Sequence, residues 1–334
     1  VFSQMHFIER MPAAQQHRLQ LSQVERVLRH AYESVPFYQE RLEKIERAPE
    51  GQLDDALFAS LPVMTRSDIQ SAGKTLISTR IPSEHGPVYQ QKSSGSTGKP
   101  IEVASTILPK IISTAHSLGT QYWHHRDISQ KHIDIRTAYE PGTEPKNAKW
   151  SLLPWSGPVK RLDLNLQISE LFDQFITEDP ASVLSHPYTL MLLAERSQQT
   201  GTFPRNLKTA FSFGEALSPT IRKALEDIWN VQVIDSYSAN EIGIIAIQCP
   251  ETENLHVRVE NVKVEVLDEH GQPCLPGTMG NVVITPLHNV ASPLIRSEIG
   301  DFAEVGGRCS CGRNLPVLSR ILGRHRNLCV LKNG

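Results

Sequence analysis

Between Gln91 and Pro100 the chain reads QKSSGSTGKP, which sets Ser93, Ser94, Ser96 and Thr97 around Gly95 and Gly98 and ends on Lys99. Hydroxyls and a lysine are donors to phosphate oxygens, and glycines let a tight loop turn its amides towards an anion. The composition predicts a loop that cradles a polyphosphate, with a Ser/Gly-rich connecting turn as the alternative reading of the same residues. It is not the Walker type of phosphate loop, because Ser93 stands where that pattern requires its first glycine.

Three later stretches carry residues suited to a nucleotide. In SFGEALSP, Gly214 and Glu215 follow a strand-like run and Pro219 opens a helix. The glycine admits close approach of a flat ligand, and a buried Glu215 would read an amino group; a helix-capping turn explains the same letters. In DSYSANEIG, Tyr237 offers a ring to stack on a base, and Glu241, after Asn240, offers oxygen to a hard cation such as magnesium. In PLIRSEIGD, Asp301 after Gly300 is read as a turn acid able to accept two ribose hydroxyls. Downstream, ILGR places Arg324 after Gly323, and its permanent charge suits ribose or phosphate.

A second chemistry is written in Cys249, His256, Cys309 and Cys311. Three thiols and one imidazole are a donor set for a tetrahedral structural zinc, although the spacing is not that of a common finger and free thiols remain the alternative. Adjacent His124 and His125 are a poor metal pair, because neighbouring residues on a helix point in different directions. No GxSxG elbow supports Ser94 or Ser212 as a hydrolase nucleophile.

The elements that must position these residues follow from periodicity. Gln15–Ser34 is helical until Pro36; Leu53–Leu61 is a short helix, with Thr65 or Ser67 as a cap for the next; Thr106–Trp123 is a long helix with Pro109 in its first turn. Strand and helix then alternate from IDIRTAY to VQVIDSY, the pattern of a helix-covered sheet whose ligands gather beyond the carboxyl ends of strands. From Asn261 the alternation changes to VKVEVLDEHGQP and PGTMGNVVITPL, a β-rich region. The expected fold is α/β with helix-flanked sheets and a smaller β-rich subdomain. The segments are a helical layer at 1–85, a ligand-binding α/β core at 86–260 and the β-rich part at 261–334.

A net charge of −2 over 334 residues, with 34 basic against 36 acidic side chains, gives no electrostatic signature of a nucleic-acid partner. No apolar stretch is long enough to span a bilayer, and the first residues lack the organisation of a secretory leader. Five cysteines, an odd number of which four follow residue 270, favour a reducing, cytoplasmic setting over a disulfide framework.

Taken in order, SSGSTGKP, SFGEALSP, YSANEIG, IRSEIGD and ILGR resemble the core signatures of the adenylate-forming enzymes. The opening HAYESVPFYQERL and LPVMTRSDI are similar to the branch containing phenylacetate–coenzyme A ligase and capsule-biosynthesis proteins. The resemblance implies ATP and Mg2+. Ser93, Ser94, Ser96, Thr97 and Lys99 would surround pyrophosphate, Gly214 and Glu215 would line adenine, and Tyr237 would stack on it. Glu241 would hold magnesium, Asp301 would bind ribose, and Arg324 would approach ribose or phosphate near a hinge. The implied reaction is acyl-adenylate formation, then transfer to coenzyme A or a carrier-protein thiol. The branch also implies a structural Zn2+ on Cys249, His256, Cys309 and Cys311.

Three departures stand out. Asn240 replaces the usual hydroxyl before the glutamate, Ser297 replaces an aromatic, and the chain stops at Gly334 where relatives continue into a mobile C-terminal domain. A non-catalytic nucleotide-binding homologue and an enzyme with an amine or alcohol acceptor are the rival expectations. Tyr139, Trp155, His186, Tyr188, Phe211 and Phe213 are candidates for choosing the acid, and the polar Glu140–Trp150 stretch leans towards an aromatic, amino or otherwise functionalised one.

Overall fold

Pro12 and Pro36 bracket the longest N-terminal helix. α1 covers Phe2–Arg10 and α2 covers Ala13–Ser34, the latter burying Val24, Val27, Leu28 and Ala31 on the expected face. The computed structural model describes residues 2–92, 102–137 and 156–324. Short helices α3 (Glu43–Arg47), α4 (Asp55–Ala59) and α5 (Arg66–Ala72) follow. Asp54 starts α4 by accepting from the Leu57 amide, and Thr65 with Asp68 forms a reciprocal capping box on α5. Leu28, Tyr38, Phe58 and Met64 share one core with Leu294 and Ile295 from far along the chain. Strands β1 (Val88–Lys92) and β2 (Glu102–Thr106) pair antiparallel with Lys92 opposite Glu102, and α6 (Ile107–Trp123) carries Pro109 in its first turn.

The next elements alternate as expected: β3 (His132–Arg136), β4 (Val159–Asp163), α7 (Ile168–Glu178), β5 (Ser182–Ser185), α8 (Pro187–Thr200), β6 (Thr209–Phe213), α9 (Pro219–Trp229) and β7 (Gln232–Ala239). The strands are parallel in the order β4-β3-β5-β6-β7. Because successive side chains point to opposite faces, Ile133, Ile135, Val183, Ala210 and Val233 form one apolar face beneath helices that contribute Phe175, Leu190, Leu225 and Trp229. The alternate positions, among them His132, Asp134, Arg136 and Phe211, belong to the other face.

The final strands are β8 (Gly243–Gln248), β9 (Leu255–Val257), β10 (Val262–Leu267), β11 (Met279–Pro286), β12 (Ser297–Val305) and β13 (Val317–Arg324), antiparallel in the order β10-β11-β12-β13-β9-β8. The expected β-rich character is thus present. Its extent corrects one reading: SEIGD is strand, not a turn. Gly300 has a φ of +80° and the strand pairing shifts register nearby, so a glycine that reads as a turn is a local irregularity within β12.

By contacts the chain divides into two units, Val1–Ser117 with Ser238–Gly334 and Leu118–Tyr237. The helical layer and the β-rich end therefore share one unit, a grouping different from the three expected segments.

Candidate functional site

In the Leu118–Tyr237 unit, the carboxyl ends of the parallel strands gather the first set of expected residues. Gly214 leaves β6 with a φ of +80°, and a Cβ there would lie 2.9 Å from His186 Cδ2. Only glycine tolerates both the left-handed backbone and that ring. Ser218 then accepts from the Ile221 amide and Pro219 opens α9, so the SFGEALSP turn is also a helix cap. Glu215 is solvent-exposed, which corrects the expectation of a buried acid: it lies in the open turn between β6 and α9. His186 stands at the N-terminal end of α8 and stacks on Phe213 at 4.8 Å. Burial lowers its pKa, the Arg136 charge acts the same way, and Glu215 opposes them. Tyr237 is buried near the end of β7, whereas Tyr188 is 62% exposed. Its strand neighbour Asp235 is raised to about 6 by burial, against hydrogen bonds and the Arg222 charge.

In the other unit, Asn240 is exposed and Glu241 half-buried in the turn after Ala239, where the Ile242 amide donates to the Ala239 carbonyl at 3.1 Å. Asp301 in β12 is directly opposite Arg324 in β13, so the residue expected at the ribose and the one expected at ribose or phosphate are cross-strand neighbours. Each follows a glycine of positive φ, Gly300 and Gly323. Ser93, Ser94, Gly95, Ser96, Thr97, Gly98 and Lys99 lie outside the described residues, as do Tyr139, Trp155 and Cys329. The described part of that hairpin fixes only where the chain enters and leaves, at the paired Lys92 and Glu102.

The four expected metal ligands converge. Cys249 follows β8, His256 is in β9, and Cys309 and Cys311 are in the turn between β12 and β13. Pairing of His256 with Val317 draws the pieces together, and all four ligand atoms lie within 4.8 Å of one another. The Sγ atoms of Cys309 and Cys249 are 3.8 Å apart, and Cys311 Sγ is 3.3 Å from His256 Nε2. A tetrahedral zinc with ordinary Zn–S and Zn–N lengths separates its ligand atoms by roughly 3.5–3.8 Å, so the donor set and its spacing fit that ion. Burial lowers the His256 pKa to about 4, helped by the Arg313 charge and opposed by a hydrogen bond to the Leu315 backbone, which leaves a neutral imidazole. Burial pushes the Cys309 thiol up, but hydrogen bonds from the Cys311 backbone, Thr252 and the neighbouring thiols outweigh it and bring it to about 7. Cys274 stands apart, its Sγ 3.4 Å from the Met279 carbonyl. His124 is buried and His125 exposed, in keeping with the poor prospect of that pair.

Sequence reasoning missed the charges beside this cluster. Arg258, two residues beyond His256, is fully buried and contacts Glu9 at 3.1 Å and Glu260 at 2.5 Å, while its Nε donates to His116 Nδ1 at 3.2 Å. Arg313, two residues beyond Cys311, lies 3.7 Å from Glu9, and the Asn314 amide donates to the Glu9 carbonyl. Burial holds His116 well below its usual range, and the Arg258 charge adds to that. With His116 neutral, the two guanidiniums balance the two carboxylates. Helix α1 is thereby tied to the chain that carries the cysteines.

No family model matches the chain. Among individual proteins it is similar to the phenylacetate–coenzyme A ligase of Thermus thermophilus, with 24% identity over 341 residues, 97% of this chain and 74% of the relative. The enzyme of the same name from Aromatoleum evansii gives 24% over 346 residues with the same coverage. In structure the chain is similar to 2-hydroxyisobutyryl-CoA ligase in an open conformation with 2-HIB-AMP and CoA, with a TM-score of 0.78, 19% identity, 97% of this chain and 78% of that one. The same ligase in its postadenylation state gives 0.79 over 97% and 71%. The chain therefore has the α/β fold of the adenylate-forming enzymes. Its sequence relatives are phenylacetate–coenzyme A ligases, matched along nearly all of its length.

Proposed function

We propose that this protein activates a carboxylic acid with ATP and passes the acyl group to a thiol, coenzyme A by preference. The observation that carries the reading is the match of 97% of the chain to phenylacetate–coenzyme A ligases. A carboxylate oxygen of the acid attacks the α-phosphorus of ATP, the bond to the bridging oxygen breaks, and pyrophosphate leaves. The thiolate then attacks the acyl carbon and AMP leaves with the electron pair of the broken bond. The acid is aryl, amino or otherwise functionalised; a carrier-protein thiol is the other acceptor of the same chemistry.

In this reading Ser93, Ser94, Gly95, Ser96, Thr97, Gly98 and Lys99 hold the phosphates, with Lys99 offsetting charge on the leaving pyrophosphate. Gly214 and Glu215 line the adenine, Tyr237 stacks on it, and Asp301 accepts the ribose hydroxyls with Arg324 opposite. Glu241 would hold Mg2+, which supplies charge neutralisation on phosphate oxygens when bound. Asn240 donates an amide hydrogen bond where a hydroxyl is usual. Cys249, His256, Cys309 and Cys311 would hold Zn2+ with no open position, a structural use that fixes β8 and β9 to the β12–β13 turn. The setting of this reading is cytoplasmic, and no helix among the described residues is long and apolar enough to cross a membrane.

Asn240 also favours one rival, a nucleotide binder that forms no adenylate. Hydroxylamine trapping with magnesium, ATP and pooled acids separates them. Hydroxamate from one pool is the expected outcome, and ATP binding without hydroxamate from any pool supports the rival. Adding coenzyme A, amines or alcohols to the responding pool then identifies the acceptor.

A further inference from the structure

Arg136 has no part in the activation chemistry above, yet it ends β3 at the carboxyl edge where ligands of parallel sheets gather. Its side chain is 52% exposed, and it is not a freely moving surface group. Its Nε donates to Asp134 Oδ1 at 2.6 Å, and Asp134 is itself buried beneath it on the same strand face. Its guanidinium stands 4.6 Å over the Phe213 ring, and Phe213 in turn stacks on His186 beside Gly214. Asp134 also lies 4.0 Å from Arg161 on the neighbouring strand. Asp134 is therefore shared between two guanidiniums, and Asp163, the register partner of Arg136 on β4, balances the second charge, its Oδ1 accepting from Asn165. The acid facing this group from the adjoining turn is Glu215, which is solvated.

The way Arg136 is held decides what it can do. Asp134 occupies Nε and the aromatic ring occupies the guanidinium face, and among the described residues no hydrogen bond uses the fork of Nη1 and Nη2. That fork matches a planar carboxylate in a bidentate pair, a geometry a lysine does not reproduce.

We infer that Arg136 reads a second anionic group of the acid substrate, so that the preferred acids are dicarboxylic: activated at one carboxylate and held by Arg136 at the other. This rests on the acid-activating reading above and deepens it by naming the substrate class. Arg136 is then a specificity-determining residue.

The test uses matched acids that differ in one carboxylate: hexanoate against adipate, and phenylacetate against 4-carboxyphenylacetate. Binding by calorimetry and ATP–pyrophosphate exchange are both measured for the wild type, Arg136→Met and Arg136→Lys. The wild type is expected to favour the dicarboxylate of at least one pair by about 10- to 150-fold, the range for a charge-assisted hydrogen-bonded pair. Arg136→Met should erase that ratio, and Arg136→Lys should keep a fraction of it. Preference for the singly charged member in every pair, equal or undetectable binding of both members, or a dicarboxylate preference unchanged in Arg136→Met would overturn the inference. Because binding is read without turnover, lack of exchange with every acid would sink the acid-activating reading while the calorimetric comparison still decides the role of Arg136.

Discussion

Replacing Arg258 by methionine should reveal how much of the fold depends on the buried charges beside the cysteine cluster. The guanidinium is fully buried and touches Glu9, Glu260 and His116. Methionine has nearly the length of the lost stem, so little cavity forms. The cost comes from two buried carboxylates that lose their shared guanidinium; Glu9 keeps Arg313 and His6, each at 3.7 Å, and Glu260 keeps His116 at 3.6 Å. Removing one partner of a buried pair costs about 3–5 kcal/mol. For a unit of this size that is roughly 6–20 °C in the melting transition, at about 2–4 °C per kcal/mol. The deficit should shrink towards pH 5. Burial already raises the Glu260 pKa and Arg258 opposes it, so without the arginine the folded-state value rises further above the unfolded one. A raised carboxyl pKa costs stability above it and recovers that stability as the pH falls through it. Scanning calorimetry and urea unfolding of Arg258→Met are compared with the triple variant Glu9→Gln, Arg258→Met, Glu260→Gln, which carries no stranded carboxylate, keeps Arg313 as the last of the four charges and should regain much of the loss. A single variant within about 1 kcal/mol of wild type, or a triple variant as unstable as the single one, would refute the electrostatic argument.

Two further outcomes follow from the same structure. Cys309→Ser should cut zinc content measured by mass spectrometry well below one ion per chain and lower the melting temperature, because a closed four-ligand site loses a thiolate; full metal content would remove Cys309 from the ligand set. His132 is buried, bonded to Ser182 at 2.8 Å, and held well below its usual pKa by burial and by the charges of Arg126 and Arg136. Its neutral form is favourable above the unfolded value of 6.5, and that contribution is lost as pH falls, by about 1.4 kcal/mol per pH unit. His132→Asn should therefore flatten the acid limb of stability measured by urea unfolding between pH 6.5 and 5, and an unchanged limb would show that His132 takes up a proton in the fold.

Local signals were the ones that could be read from the letters. The apolar stripe of α2, the Thr65 cap, the Pro109 and Pro219 helix starts and the strand–helix alternation each depend on residues within a few positions of one another. The metal quartet was legible for a different reason: few other uses suit three thiols and an imidazole, although only the strand pairing shows that Cys249 and Cys309, 60 residues apart, meet. Strand β12 was hidden because Gly300 looks like a turn when its neighbours in space are unknown. The bond between Glu9 and Arg258 spans 249 residues, and no local pattern announces such a pair. Exposure of Glu215 belongs to the same class, since a glycine–acid turn reads alike whether covered or open. Arg136 lay in a readable strand, but its hold by Asp134 and Phe213 depends on register and on β6, which no local pattern announces.

The most direct measurement of the central claim is ATP–pyrophosphate isotope exchange with magnesium and pooled aromatic, amino, fatty and dicarboxylic acids, run on the wild type beside Asp301→Ala. Exchange that requires one acid pool and falls at least about tenfold in the variant, the loss expected for two charge-assisted ribose hydrogen bonds, is the predicted result. No acid-dependent exchange, together with ATP binding that Asp301→Ala leaves unchanged, would contradict both the activity and the site.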